Sequence, residues 1–297
     1  MSFDYTKAFY EVDNFCIEYS KIIEKNMITS ENKNHIIKSS STSMLLSEVM
    51  LINIWFHSSG FRNFKHFYLY LQQNYRNAFT KLVSYNRFVE IKQMSILPLY
   101  YFLQLNSGQK TKIQYIDATS IAVCKNKRIG RNKVFKDLAK RGKTTMGYFF
   151  GFKLHFIVNE FGEILSFILT PGNVHDIKVL NKISKNLTGK IFGDKAYISK
   201  EIFNELYDRG LKLVTTLRAK MKNKMQDLTE KILLRKRSII ETINDQLKNI
   251  QQVEHSRHRS PTNFLENLLS ALAAYYFQPK KPAINFKQKT GENMLCY

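Results

Sequence analysis

The feature that most constrains the fold of this chain is a change in apolar patterning near Gly108. Before that residue, apolar side chains recur at helical spacing, and after it short strand-like runs alternate with helix-like ones. The order after Gly108 is strand, hairpin, helix, strand, helix, strand, helix. Such an order suits a mixed sheet covered by helices, so we predict an α/β domain preceded by a helical one.

Individual elements follow from the same patterns and from the glycine and polar residues between them. The predicted strands are Lys112–Ala118, Phe149–Val158, Ile164–Thr170, Lys190–Gly193 and Leu211–Leu217. The predicted helices are Asp176–Asn186, Lys200–Arg209 and Leu233–Lys248.

Two aspartates stand where predicted buried strands end. Asp117 follows the apolar run 113–116, and Asp194 follows the strand that closes at Gly193. Taken singly, each aspartate also suits a cap of a loop or helix. Taken together in this topology, the two carboxylates are predicted to meet at one edge of the sheet.

A glutamate on the last predicted helix supplies a third carboxylate. At about 100° per residue, Arg237, Glu241 and Lys248 fall within about 60° of one another. The opposite side carries the apolar residues Ile240, Ile243, Leu247 and Ile250. One helix face is therefore apolar, while the other presents a carboxylate between two cations, unless that face is merely solvated.

Three carboxylates brought together in a poorly solvated site repel one another unless a cation lies between them. Hard oxygen ligands favour Mg²⁺, with Mn²⁺ as the alternative. Asp117, Asp194 and Glu241 are thus candidate metal ligands. The three cysteines, Cys16, Cys124 and Cys296, are widely spaced and indicate a reducing compartment without structural zinc.

Several ordered segments resemble the DDE transposases of bacterial insertion sequences, and most closely those of the IS982 family. The segments are residues 116–119, 141–155, 170–176, 191–198, 233–241, 253–260 and 275–282. The resemblance covers most of the chain from about Leu82 to Pro282. Seven motifs in the same order are a far more specific signal than one short pattern, so a chance resemblance is a poor explanation.

The resemblance implies an α/β fold with an RNase H-like mixed sheet flanked by helices, in which Asp117, Asp194 and Glu241 form the acidic triad. Related transposases carry a Tyr-x2-Arg-x3-Glu-x6-Lys signature, and Arg237, Glu241 and Lys248 match its spacing. Leu234 stands where the tyrosine would be. The implied activity is Mg²⁺-dependent cleavage at element ends and strand transfer into target DNA, with Arg237 and Lys248 as DNA contacts.

Two alternatives to a transposase remain open at this stage. A nuclease on the same fold would keep the triad and lack strand transfer. A DNA-binding protein that had lost catalysis would keep the positive charge, although the presence of all three carboxylates argues against it.

The net charge of +22 points to a polyanionic partner. Residues 1–110 carry 12 basic and 8 acidic side chains, whereas residues 111–297 carry 34 and 16. Most of the excess positive charge therefore lies in residues 111–297, the proposed catalytic region. No long apolar stretch or cleavable signal favours the alternative partner, an anionic membrane. DNA is the expected partner, bound by a homodimer or higher oligomer, in the bacterial cytoplasm at the nucleoid.

One stretch concentrates this charge. Residues 125–143 hold nine basic residues and one acidic residue, Asp137. The alternatives are a solvated face and a DNA-contacting loop, and the aromatic cluster that follows favours the loop. The predicted DNA-contacting residues in it are Lys125, Lys127, Arg128, Arg131 and Lys133.

The domain organisation predicted from these patterns is an N-terminal helical domain, 1–108, a catalytic domain, 109–280, and a basic tail, 281–297. Within the first domain, Ser84 is predicted to cap a helix that belongs either to a DNA-reading helix-turn-helix or to an ordinary small bundle. Between the hairpin and the next helix, His175 and Asp176 either cap that helix or act near the metals.

Overall fold

The computed structural model describes residues 3–29, 43–79, 81–145, 147–216, 227–254, 258–284, 288–289 and 292–293. The chain forms two compact units. The helical unit comprises Met1–Asn106, Asn249–Val253 and His258–Pro279, and the sheet unit comprises Ser107–Lys248, Glu254–Arg257 and Lys280–Tyr297.

The α-helices are α1 (Tyr5–Thr29), α2 (Leu46–Ser58), α3 (Phe64–Asn74), α4 (Tyr85–Ile91), α5 (Ile96–Leu105), α6 (Ile177–Ile183), α7 (Lys200–Asp208), α8 (Leu228–Arg235), α9 (Ser238–Asn249) and α10 (Pro261–Tyr276). The strands are β1 (Ile113–Cys124), β2 (Lys140–Thr144), β3 (Gly147–Asn159), β4 (Ile164–Pro171), β5 (Gly189–Gly193), β6 (Leu211–Thr215), β7 (Gln288–Lys289) and β8 (Glu292–Asn293). Short 3₁₀ helices cover Arg76–Ala78, Lys92–Ser95, Asn126–Arg131 and Lys195–Tyr197.

The helical unit is held together by an aromatic core. Apolar residues of α2, among them Ile52 and Phe56, pack with Phe67 and Phe88 from α3 and α4. Helix α10 packs against α2 and α5, so the far end of the chain completes this core. The predicted cap at Ser84 is confirmed, because its hydroxyl accepts a hydrogen bond from the Arg87 N–H at 3.3 Å.

The sheet unit contains a mixed six-stranded sheet with the order β2-β3-β1-β5-β6, in which β4 also pairs with β3. Strand β3 runs antiparallel to β1, β2 and β4. Strands β1, β5 and β6 run parallel to one another, and β1 continues beyond the end of β5. Asp117 lies on β1 beyond its last residue paired with β5, Tyr115, and Asp194 directly follows β5.

Helices cover both faces of the sheet. Ile116 belongs to a buried cluster with residues of α6 and α7, including Leu180 and Leu206. Its neighbour Tyr115 points to the opposite face, where its hydroxyl donates a hydrogen bond to the Leu233 carbonyl of α8 at 3.3 Å. Side chains of β1 therefore alternate between the α6–α7 face and the α8–α9 face.

The predicted α/β class, with a mixed sheet flanked by helices and an N-terminal helical region, is confirmed. Each predicted strand and helix of the sheet unit has a counterpart, although residue 217, the predicted end of the last strand, lies outside the described residues. Three predictions within this unit were wrong. Strand β1 continues to Cys124, because β3 offers it antiparallel partners over that whole length, so Asp117 lies within β1 and not at its end.

The second correction concerns the basic run, which is not a loop throughout. Residues Lys140–Thr144 form β2, an edge strand paired with β3, whose mostly exposed charged side chains hide its strand character in the sequence. The third concerns the helix predicted from Leu233 to Lys248, which is two helices, α8 and α9, separated by a turn at Lys236 and Arg237. Ile250 lies beyond α9 and is 51% exposed, so it is not part of the apolar face.

The predicted division of the chain into domains stays a prediction. Helix α10 lies in the helical unit, and the side chains of residues 285–297 in the predicted basic tail are outside the described part of the structure. Among the described residues, no helix has the length and apolar character needed to cross a membrane.

Candidate active site

Asp117, which is half-buried, is the centre of the candidate site. Its side chain is directed to the α8–α9 face, where Oδ2 accepts a hydrogen bond from Asn244 Nδ2 of α9 at 2.9 Å. Burial raises the pKa of Asp117 to about 6, and the charges of Asp176 and Asp194 add to this rise. A backbone hydrogen bond from Ala118 and the charge of Arg237 oppose it.

Asp194 lies at the end of β5, as predicted. Its side chain is exposed and accepts a hydrogen bond from the Lys195 N–H at 2.6 Å, which starts the 3₁₀ helix Lys195–Tyr197. The parallel pairing of β1 and β5 brings Asp117 and Asp194 close enough for the Asp194 charge to act on the Asp117 carboxyl. The end of β5 therefore brings Asp194 near Asp117, which lies within β1.

Glu241 lies on α9, but its carboxylate is directed to a cation. Oε1 is 3.0 Å from Arg237 Nη2, and the Glu241 side chain is 60% exposed. Arg237 is only 21% exposed and is also close enough to Asp117 to lower its pKa. Arg237 therefore pairs with Glu241 and also acts as a positive charge near Asp117.

Lys248, the predicted DNA contact on α9, is paired as well. Its ammonium is 3.3 Å from Glu254 Oε2, and the other oxygen of Glu254 accepts a hydrogen bond from the Ala122 N–H of β1 at 3.1 Å. These contacts attach the end of α9 to β1. The opposite end of the α8–α9 segment is fixed by Glu230, a buried carboxylate of α8 that accepts from Lys190 at 2.9 Å and Lys212 at 2.5 Å.

Asn244 is a site residue that sequence reasoning missed. It lies one helical turn after Glu241, donates to Asp117, and has a buried Oδ1 without a hydrogen-bond partner among the described residues. The only signal in the sequence is its position three residues after Glu241, which places both on neighbouring positions of one helix. A polar side chain at that position is usually solvated, so the spacing alone does not reveal the contact.

Asp176 does not cap α6, so that alternative for it was wrong. It occupies the N-cap position without a side-chain cap hydrogen bond, and Oδ1 instead lies 2.8 Å from Lys153 Nζ of β3. His155, which is buried, lies beside it with Nδ1 at 3.9 Å from the same oxygen. Burial lowers the pKa of His155 to about 4, with Asp176 opposing this shift and Lys153 adding to it.

Oxygen ligands for a cation are present, but they are not gathered around one point. The described residues contain no group of three His, Cys, Asp or Glu side chains at metal-holding distances. Asp117, Asp194 and the unpaired Oδ1 of Asn244 fit a hard cation by donor type. Glu241 joins them only after its carboxylate leaves Arg237.

The predicted DNA-contacting residues of the basic run are all exposed: Lys125, Lys127, Arg128, Arg131 and Lys133. None of them forms an ion pair with another residue that the structure describes. The segment is anchored by Phe135, which is 1% exposed and packs edge-on against Phe152 of β3. A fixed segment thus presents unneutralised cations to solvent.

Comparison with protein families identifies the sheet unit. The model of the family described as "Transposase DDE domain" matches residues 107–261, just over half of the chain. These residues include β1 with Asp117, β5 with Asp194 after it, and α9 with Glu241. No curated protein matches the chain. The extent of the family match shows that the chain belongs to the DDE transposases.

Proposed function

We propose that this transposase cuts DNA at the ends of its own mobile element and joins the freed 3′-hydroxyl to target DNA. The reaction depends on a divalent cation, Mg²⁺ or alternatively Mn²⁺. In this proposal the catalytic unit is RNase H-like, the element belongs to the IS982 family, and the protein acts on DNA as a homodimer or higher oligomer.

The observation that carries the proposal is that Asp194, directly after β5, lies near Asp117 of β1 beside α9. Two like-charged carboxylates in a partly buried site raise the free energy of the folded protein unless protons or cations neutralise them. Burial is the main cause of the raised pKa of Asp117, and the charge of Asp194 adds to it. A bound cation would remove this cost in free energy, which supports a metal site rather than two independent surface aspartates.

Asp117, Asp194 and Glu241 would hold the cation, and the oxygen of Asn244 is available as a further donor. When bound, divalent cations lower the pKa of an attacking water or hydroxyl and stabilise the leaving oxygen. The protein contributes the fixed placement of its carboxylates. Asp117 must be ionised for this purpose, and Glu241 must turn away from Arg237.

Arg237, Lys248 and the exposed cations of the basic run would hold the DNA backbone. Opening the Arg237–Glu241 pair makes both partners available, the carboxylate for the cation and the guanidinium for a phosphate. Lys248 would engage DNA by exchanging Glu254 for a phosphate. The five exposed residues 125, 127, 128, 131 and 133 need no such exchange.

The test uses the full-length protein, Mg²⁺, duplexes with candidate element ends and a target plasmid, with cut and joined products mapped by sequencing. We expect Asp117→Asn, Asp194→Asn and Glu241→Gln each to abolish cleavage while DNA affinity stays close to that of the wild type. Each variant removes a ligand charge without removing a phosphate contact. Asp208→Asn, which alters an exposed carboxylate on α7, is the matched control and should cut normally.

Each other outcome has a definite meaning. Cutting at the wild-type rate by any one of the three variants contradicts the triad. Cutting without joining by the wild type favours a nuclease on this fold. DNA binding without any cutting would leave a DNA-binding protein as the function.

A further inference from the structure

Tyr148, near the start of β3, is a large aromatic residue that lies outside the core of the sheet unit. It is 65% exposed, whereas the next residue of the strand, Phe149, is buried. A single exposed aromatic residue is common on protein surfaces and needs no explanation by itself. Tyr148 differs from that ordinary case in its setting, because its partner strand is β2, which contains the last residues of the basic run.

The pairing of the strands places the Tyr148 ring among cations on one face of the sheet. Residues paired directly across antiparallel strands point to the same face, and Lys143 of β2 is paired with Tyr148. Because side chains alternate along a strand, Arg141 and Phe152 point to that face as well. Phe135, the anchor of the basic run, packs on Phe152. The cations of β2 and of the basic run therefore lie on the face to which Tyr148 points.

Two contacts connect Tyr148 with its basic neighbours. Lys143 Nζ lies 5.6 Å from the centroid of the Tyr148 ring, which is a cation–π contact. Asn126 Nδ2 donates a hydrogen bond to the Tyr148 carbonyl at 2.7 Å, so the 3₁₀ helix Asn126–Arg131 is attached to the start of β3. The ring is thus held beside the cations while most of the residue stays open to solvent.

The positive charges around the ring are available to a ligand. Arg141 and Lys143 are exposed, and neither forms an ion pair with another residue that the structure describes. The same holds for the five cations of the basic run described above. An aromatic surface surrounded by unneutralised cations suits a ligand that carries both flat rings and negative charges, and a nucleic-acid strand is such a ligand.

The same face of the sheet also carries Asp117. Asp117 is paired with Phe156 of β3, which lies an even number of residues from Tyr148, so both side chains point to one face. The eight residues from Tyr148 to Phe156 span about 26 Å at about 3.3 Å per residue. DNA lying along this face would contact both regions, although Tyr148 is too far from Asp117 to act on the cation.

We propose that Tyr148 is a stacking site for an unpaired base of the DNA, with Arg141 and Lys143 holding the phosphates on either side of that base. This inference rests on the proposed function only in taking DNA as the ligand. Bases inside a duplex are already stacked on one another, so an exposed ring favours DNA that has unpaired nucleotides. Every base has a flat π face, and we therefore expect little preference for base type.

Two other roles for Tyr148 make different predictions. If the ring only covers part of the β2–β3 hairpin, Tyr148→Ala lowers thermal stability and leaves DNA affinity unchanged. If the phenol hydroxyl instead donates to a phosphate, Tyr148→Phe weakens binding as much as Tyr148→Ala does. A stacking role predicts that Tyr148→Phe, which keeps the ring, binds DNA like the wild type.

The test measures the affinity of the full-length protein for three DNAs by fluorescence anisotropy, without a divalent cation so that no strand is cut. The DNAs are a blunt duplex, the same duplex with an unpaired tail, and the single strand alone. We expect Tyr148→Ala to weaken binding of the tailed duplex and of the single strand by about 10-fold. Its affinity for the blunt duplex should stay close to that of the wild type.

Two control variants separate stacking from charge and from general surface effects. Lys143→Gln removes a phosphate contact and should weaken binding of all three DNAs alike. Tyr207→Ala removes another exposed tyrosine, 62% exposed on α7, and should bind all three like the wild type. Stacking is followed directly with 2-aminopurine in the unpaired tail, whose fluorescence should be quenched by the wild type and Tyr148→Phe but not by Tyr148→Ala.

The outcomes distinguish this inference from the proposed function. The inference is overturned if Tyr148→Ala binds the tailed duplex like the wild type, if it weakens binding of all three DNAs equally, or if Tyr148→Phe is as weak as Tyr148→Ala. None of these results affects the proposed function, which the cleavage assay with the triad variants tests separately. Wild-type protein that binds none of the three DNAs would overturn both.

Discussion

At the scale of single residues, the protonation of Asp117 links stability to pH in the metal-free protein. Its folded-state pKa of about 6 lies above the ordinary value of 3.8, so the folded state binds its proton more tightly than the unfolded state does. The stabilising effect is complete below pH 3.8 and is lost as the pH rises through about 6. At neutral pH the ionised carboxylate costs about 3 kcal/mol at most.

We therefore expect Asp117→Asn to stabilise the metal-free protein at pH 7.5 and to have little effect near pH 4. The measurement is the free energy of unfolding from urea titrations of wild type and variant between pH 4 and pH 7.5. Taking the difference between the two proteins reduces the contributions of other titrating groups, such as His155. A difference that does not change with pH would show that Asp117 titrates normally and is not desolvated.

Residue types and spacing were enough to predict that Asp194 follows a buried strand, but Asp117, predicted to end its strand, lies within β1 because β3 pairs with β1 as far as Cys124. They were not enough to predict Asn244. It owes its place in the candidate site to a long-range contact with Asp117. Neither spacing nor amino-acid type distinguishes such a residue from an ordinary helix or core position.

At the scale of elements, the exposed basic segment tests whether the positive charge serves DNA. Each phosphate neutralised on binding contributes a slope of about −0.9 in log K against log salt concentration. We expect the fivefold change of Lys125, Lys127, Arg128, Arg131 and Lys133 to glutamine to weaken binding and make this slope less negative. Fluorescence anisotropy with a labelled duplex, measured at several salt concentrations, gives both quantities.

The control for this experiment removes the same charge from another part of the sheet unit. Its five exposed lysines, also changed to glutamine, are Lys178, Lys182, Lys185, Lys200 and Lys231. Because net charge is equal in the two variants, a difference in DNA affinity or in salt slope between them shows that the position of the lysines and arginines on the protein matters. Equal slopes in the two variants would mean that the basic segment is only a solvated surface.

Element boundaries were predicted less well than element types. The apolar spacing from Leu233 to Lys248 continues without a glycine or proline, so it gave no sign of the turn between α8 and α9. That turn forms in a tertiary setting, where Glu230 fixes α8 to β5 and β6 while Asn244 fixes α9 to Asp117. The apolar pattern of the segment itself cannot predict a turn that depends on contacts with other strands of the sheet.

At the scale of the whole molecule, the helical unit is discontinuous in sequence. Its α10 comes from the far end of the chain, buries almost every residue from Phe264 to Tyr275, and places Glu266 2.5 Å from Lys92. The apolar pattern of Pro261–Tyr276 does not indicate which unit it joins, since an apolar helix suits either core. Sequence order alone therefore does not indicate that His258–Pro279 joins Met1–Asn106 in one unit.

This arrangement predicts that a fragment of residues 1–108 does not fold by itself. Burial of a large apolar side chain stabilises by about 1.5–3 kcal/mol, so removing α10 costs the unit several such contributions. The total is comparable to the whole stability of a typical domain, about 5–15 kcal/mol. Trp55, the only tryptophan in the chain, stacks on Tyr5 in this unit and reports its folding by fluorescence.

The matched comparison joins residues 258–279 to the fragment through a flexible linker. We expect the joined protein to melt cooperatively by circular dichroism and Trp55 fluorescence, whereas the fragment alone shows no cooperative transition. A second joined protein carrying Leu268→Asp and Leu272→Asp, both 1% exposed in α10, should behave like the fragment, because its added helix cannot enter the core. Cooperative melting of residues 1–108 without α10 would instead establish an independent N-terminal domain and leave α10 as an accessory to it.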